Sequence, residues 1–481
     1  MPALYILSSS AGPRWQSQHR FIKVALPHLQ TLLPPAMHAT SLSELPEAPD
    51  AEDPPTDFFL RYPYLLVWTD QVDVWRLSDG TMTHVCMLEE HIDKPWEQSP
   101  VIDAVRKLLV IPEAFRSPPR LRIYALESGE ILRDVELFGR IADVELEYRA
   151  SDARALVLLT EQTSPAFPHG QTTIVQVDIA EGAILPGDWN LPPQMSEREE
   201  RRDIPPMVLE PVFFGVGDEV VATSTTKWLG KVDLLAWGPE DEQGSGPSKT
   251  LELRPGQPEC KSMVPRRHIA VDENSFVLCT HEDPFPERGE KTSVRRIEAK
   301  TLSLHWEAHP IPGKIKTIAF VPVLGALVLS TTHDITDHEN DPERMSLQIE
   351  TVVVVLDVET GEQRALHSVD SDAQQSFVVD VLVSADPNAP VLTLVWKNGD
   401  ILSVGLSEFV EDGFPRDSMS GMKRVQTQAV FPADVISASV GRRELVAVAG
   451  VRKHPVRSQG GSDEEEPDWD EDDGRVMLAT W

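Results

Sequence analysis

The sequence predicts an all-β chain built by repeating one four-stranded antiparallel unit. Three observations carry this expectation. A short apolar run recurs along the chain. Each run is followed by a second strand-like segment, often closing on a glycine turn. The runs recur at a spacing of tens of residues, the scale of one supersecondary unit.

The runs begin at Leu65, Leu108, Leu156, Val220, Phe276, Leu327, Leu392 and Leu445, so successive starts lie 43, 48, 64, 56, 51, 65 and 53 residues apart. Propeller blades repeat at about 40–50 residues, near or below these spacings. The following segments are clearest at 72–80, 121–129, 175–182 and 354–361. A polar pair and a glycine, or Ala-Glu and a glycine at 180–182, supply the positive φ of a hairpin turn. A third strand follows, as at 83–88 and 131–137, and another precedes the run, as at 315–321 and 377–383. Four strands in meander order result.

The segment Val72-Asp73-Val74-Trp75-Arg76-Leu77-Ser78-Asp79-Gly80 resembles the third strand and turn of WD repeats. Trp75 holds the Trp position and Arg76 replaces the Asp. The Gly-His pair that opens a standard WD repeat is missing. The resemblance implies a divergent WD-repeat-like β-propeller and leaves the buried His/Asp network of the standard blade without its usual residues.

The expected architecture is one all-β domain over 1–481, with units starting near 58, 98, 140, 207, 263, 315, 376 and 434. That gives eight blades, with seven as the alternative. Residues 1–8 are read as a strand closing the last blade, and 9–57 as a Pro-rich acidic connecting arm with a short helix over 15–25. Residues 58–481 form the blades, with an acidic disordered insertion at 450–474. Closure matters because a blade buries its faces only against its neighbours.

Connection lengths point to one face. With strands lettered A to D, most A–B and C–D turns are short, 238–248 being the exception. Extra length falls in the B–C connections 112–119, 161–171, 281–292, 331–346 and 450–474, and in the D–A connection 186–206. In a meander these share one rim, and one-sided insertions mark a binding face. The candidate face combines Phe115, Phe167, Trp228, Phe285, Trp396 and Trp469 with His333, Asp334, Asp337, His338 and Glu339. Aromatic anchors inside a polar rim are an interface composition, although each aromatic taken singly also fits loop packing.

No catalytic or metal site is assigned. His333 to Glu339 holds metal-compatible ligand types, but its spacing matches no specific motif, so it reads as a solvated loop. His305 and His309 would lie about 13 Å apart on a strand, too far to share an ion. The run Asp468 to Gly474 fails as a calcium loop, since its glycine falls at position 7 and Ala479 stands at position 12. Residues 463–473 hold nine carboxylates in eleven positions. Ser462 before them resembles an acid-directed kinase site. No cofactor is expected, because nucleotide-binding, nucleophile-elbow and zinc-protease motifs are all missing.

Composition excludes some functions. Asp and Glu number 77 against 44 Lys and Arg, a formal net charge of -33. Such a chain repels nucleic acid and anionic membrane. Three cysteines do not make a disulfide framework. The start carries no signal-peptide core, no stretch is long enough to span a membrane and no asparagine stands in a glycosylation sequon. Cytoplasm or nucleus fits. The expected function is a non-catalytic scaffold that docks a basic protein partner on the loop-rich face, alone or inside a larger complex. The alternative is a propeller enzyme or a small-ligand or metal binder, using the central channel or the histidine-bearing loops.

Overall fold

The computed structural model describes residues 3–11, 17–25, 57–61, 63–68, 71–78, 81–88, 100–113, 118–137, 141–149, 153–161, 172–191, 212–226, 231–238, 241, 247–255, 260–284, 290–334, 348–372, 377–384, 390–398, 400–413, 428–429, 434–440, 444–451 and 473–480. They fall into two compact units. One comprises Met1–Lys94 with Asp372–Trp481, the other Pro95–Ser371.

The first unit begins with a hairpin of β1 (Ala3–Ala11) and β2 (Ser17–Ala25). Phe21 with the β-branched Ile22 and Val24 suits a strand, so the helix expected over 15–25 is corrected to β2. A sheet of β3 (Asp57–Arg61), β4 (Tyr64–Trp68), β5 (Val72–Ser78) and β6 (Thr81–Met87) follows in chain order. The segment between the hairpin and this sheet is therefore 26–56, shorter than the expected arm 9–57.

The second unit is a series of antiparallel sheets. The first holds β7 (Val101–Asp103), β8 (Leu108–Glu113), β9 (Arg120–Ala125) and β10 (Ile131–Glu136). Next come β11 (Ile141–Arg149), β12 (Arg154–Glu161), β13 (Thr172–Asp178) and β14 (Ala183–Asn190). Then come β15 (Phe213–Val216), β16 (Glu219–Thr226), β17 (Lys231–Trp237) and β18 (Lys249–Leu253). The next sheet has β19 (Cys260–Ala270), β20 (Ser275–Pro284), β21 (Lys291–Glu298) and β22 (Leu304–Glu307), with β23 (Ile311–Pro312) also on β21. The last has β24 (Lys314–Val321), β25 (Ala326–Asp334), β26 (Gln348–Asp357) and β27 (Gln363–Asp372).

The chain then returns to the first unit. A sheet of β28 (Val378–Val383), β29 (Val391–Trp396), β30 (Asp400–Gly405) and β31 (Gln428–Ala429) carries helix α1 (Leu406–Asp412) between its last two strands. This makes 406–427 a second long C–D connection, besides 238–248. Leu406 and Phe409 anchor α1 by full burial. The final sheet has β32 (Asp434–Val440), β33 (Glu444–Val451) and β34 (Asp473–Thr480), and β1 pairs on β34 with Tyr5 opposite Leu478. β2 lies outside β1, so the N terminus contributes two strands here, where one was expected.

Every sheet thus repeats an antiparallel meander, the unit from which propellers are built. The apolar runs are continuous because these strands bury both faces. Val157 and Leu159 of β12 face the sheet before, while Leu156 and Leu158 face the sheet after. On β16 and β17, Val220, Leu235 and Trp237 face backward, and Val221, Val232 and Leu234 face forward. Phe276 and Leu278 of β20 face backward, and Val277 and Cys279 face forward. Period-two alternation therefore splits each run between two cores. The second unit is bound by a chain of such inter-sheet cores, each worth about 25 cal/mol per Å² of apolar surface removed from water.

The hairpin glycines do what the sequence suggests. Gly361 has φ +72, and its N–H donates to Asp357 O at 2.9 Å. Asp357 Oδ1 accepts from the N–H of Glu359 and of Thr360, which shapes the turn. Gly182 has φ +68 in the same kind of turn after Asp178. Leu302 takes the corresponding place after β21 at φ 53 without being glycine, and its side chain joins the core.

Candidate interaction face

Strand bounds move the long connections outward. In the second unit they span 114–119, 162–171, 285–290 and 335–347; in the first, 452–472. All are shorter than expected because β-pairing runs further. His281 pairs opposite Thr292, and His333 opposite Glu350, both inside ladders. The long connection after β14 likewise starts at 191, because Pro186 lies within that strand.

Like ends of neighbouring sheets lie together in the second unit. At the short-turn end, Arg296 Nη1 donates to Val358 O at 2.9 Å, and Nη2 to Asp272 Oδ2 at 3.0 Å. Trp306 Nε1 donates to the same carbonyl at 2.9 Å. These bonds tie the β19–β23 sheet to the β24–β27 sheet. Burial pushes the Asp272 carboxyl up, but the Ser275 hydroxyl, two backbone N–H groups and Arg296 outweigh it, so its pKa is lowered.

At the long-connection end, Glu290 Oε1 lies 2.8 Å from Lys314 Nζ and 3.5 Å from His281 Nε2. His333 Nδ1 stands 3.8 Å from a Glu350 carboxylate oxygen, an ion-pair distance beyond hydrogen bonding. The crossing into β24 is fixed by Thr292, which donates to Gly313 O at 2.7 Å, and by Thr331, which donates to Pro312 O. These groups line one seam, because His281 and Cys279 share a face of β20 and that face packs on the next sheet.

The opposite face of β20 holds a buried polar cluster. Arg295 donates to Glu307 Oε1 at 2.6 Å, Thr280 Oγ1 at 2.8 Å and Arg254 O at 2.9 Å. It lies 3.5 Å from Glu282, which also accepts from the Ser293 hydroxyl. Arg295 and Glu282 are each 1 % exposed. Glu282, expected among loop acids, is therefore spent inside the protein. The arginine pair in the apolar strand 292–297 was the available signal: alternation sends Arg295 and Arg296 to opposite faces, each needing carboxylates.

Of the expected face, His333 and Asp334 lie in β25 rather than in a loop, and only 26 % of the His333 side chain is exposed. Trp396 ends β29 and is 6 % exposed. It is buried at the end of this strand, which differs from its reading as an exposed anchor. Phe115, Phe167, Trp228, Phe285, Asp337, His338, Glu339 and Trp469 lie outside the described residues, as does Ser462. His305 and His309 are both exposed.

The expected WD position is occupied by a buried residue. Trp75 is 4 % exposed, and the His84 ring meets it edge-on at 4.9 Å. His84 Nε2 and Asp73 Oδ1 are 2.9 Å apart. This sheet therefore makes a His/Asp contact of its own between its third and fourth strands. Cys279 is fully buried, and burial pushes its thiol up to about 12, with Arg267 opposing. Among the described residues, no group of three or more His, Cys, Asp and Glu is placed to hold a metal ion. None of their helices is long and apolar enough to cross a membrane.

No protein-family model and no curated protein match the chain. Solved structures do resemble it in shape. The computationally designed Ika8 protein is 12% identical, with 89% of this chain and 96% of that one covered at a TM-score of 0.47. The Dos1 propeller is 9% identical, with 87% and 90% covered and a TM-score of 0.47. The Cps50 (Swd1) β-propeller domain of Myceliophteria thermophila is 13% identical, with 82% and 94% covered and a TM-score of 0.37. Likenesses at these levels assign neither a family nor a function.

Proposed function

We propose that the chain is a non-catalytic protein-interaction scaffold, a single β-propeller that docks a basic protein partner at its long-connection end. The serial meander sheets, packed face to face through the second unit, support the propeller. The repeat spacing favours eight blades, and seven is the alternative count. The observation that carries the docking reading is the contrast between the two ends of the sheets. In the second unit one end is closed by tight turns except at 238–248, and carboxylates of these turns serve the turns and the Arg296 tie. In the second unit the other end carries the connections 114–119, 162–171, 285–290 and 335–347, and acid is dense in sequence in the last of these and in 452–472 of the first unit. Residues 335–347 have four carboxylates against Arg344, and 463–472 have eight.

The test is capture from native extract by the wild type and by a variant with Asp334, Asp337 and Glu339 changed to lysine. A second variant with Glu359 and Glu362 reversed serves as the control at the other end. A partner lost from the first variant, retained by the second and released by rising salt supports docking here. A partner held equally by both variants rejects this face.

A further inference from the structure

Acid dominates this chain, yet two neighbouring first strands carry cations and no carboxylate. β19 contains Lys261, Arg266, Arg267 and His268, and β24 contains Lys314 and Lys316. Each is the edge strand of its sheet, and the two lie side by side within the second unit.

Both strands bulge at the same place relative to the strand they pair with. In β19 the register breaks between Pro265, opposite Thr280, and Arg267, opposite Cys279. In β24 it breaks between Ile315, opposite Thr331, and Thr317, opposite Ser330. The extra residue is Arg266 in one and Lys316 in the other. A bulge leaves its extra residue outside the ladder and re-aims the side chain.

Both cations are exposed, as is Arg267. Among the described residues, Arg266 and Lys316 have neither a hydrogen-bond nor an ion-pair partner. Other cations nearby are engaged: Lys314 with Glu290, Arg295 with Glu307, and Arg296 with Asp272. The same register break recurs in β28 and β32, where the extra residues are Val379 and Ile436, so among these four described first strands it is β19 and β24 that place a cation there.

We propose that the paired bulges of β19 and β24 bind a small phosphate-bearing anion, held by Arg266 and Lys316 with Arg267 beside them. A guanidinium offers phosphate two parallel donors, and an ammonium adds a point charge. Size follows from the net charge of -33. A long polyanion extends into the repulsive field of the whole protein, whereas a compact anion sits within a screening length of about 8–10 Å of its cations. The inference does not depend on the docking of a basic partner.

The experiment is calorimetric titration of the full chain with inorganic tripolyphosphate at low salt. Expected is saturable binding by the wild type and at least about tenfold weaker binding by the R266Q/K316Q variant. A charge-preserving R266K/K316R variant should retain binding, and Lys300→Gln, on a distant turn, should leave it unchanged. Thermal unfolding without ligand checks that the variants fold. Absence of wild-type binding at millimolar tripolyphosphate, or equal affinity in R266Q/K316Q, overturns the proposal.

Discussion

Gly361 sits at φ +72, and a Cβ added there would meet Trp306 Cδ2 at 2.6 Å. Gly361→Ala is therefore expected to destabilise by about 1–3 kcal/mol, combining backbone strain and a clash with an indole held by its own hydrogen bond. A lowered Tm in thermal unfolding checks this. Beside it, the Arg364 guanidinium and then the Thr360 N–H hold the Asp357 carboxyl down at about 2. Its unfolded value is near the ordinary ~3.9. The stability it contributes is thus complete above about pH 4 and lost as pH falls toward about 2. Asp357→Asn should lower stability at neutral pH, where the charged carboxylate contributes, and flatten the acid limb in that window, so that variant and wild type converge near pH 2. Cys279, with its thiol held near 12, should resist thiol reagents at mildly alkaline pH until the protein unfolds. At this scale the turn glycine was legible, because polar-pair-plus-Gly is local chemistry. Its contact with Trp306 was not, since that residue belongs to the neighbouring sheet.

Strands were legible where their apolar runs are continuous. Leu156 to Leu159 could be split between two cores only once both neighbouring sheets were in place. Strand ends were not legible, because polar residues such as His281, Glu282 and His333 read as loop yet pair in ladders. β2 read as a helix because Trp15 to Ala25 has no breaker before Pro27, and only pairing with β1 decides its form. The Arg295 cluster tests the element scale. Arg295→Met leaves the Glu282 carboxylate buried without its cation, at an expected cost of about 3–5 kcal/mol by denaturant unfolding. Adding Glu282→Gln should recover part of the loss. Equal stability of Arg295→Met and the wild type would contradict the assigned role of this network.

The whole molecule is a series of similar sheets, and its repeat was visible because each unit must bury two faces against neighbours. The charge of -33 was also visible from the start, but its use was not. Some carboxylates shape turns, as Asp178, Asp272 and Asp357 do. Some are buried with Arg295. Under the proposed function, the acid of 335–347 and 463–472 is what meets a partner. The central claim is that a basic protein docks at that end. Carbodiimide cross-linking of the captured complex, read by mass spectrometry, tests it most directly, because it joins partner lysines to adjacent carboxylates without a spacer. The account predicts cross-links to Asp337, Glu339 and the carboxylates of 463–472. Cross-links confined to Glu127, Glu181 and Glu359 at the short-turn end would contradict it.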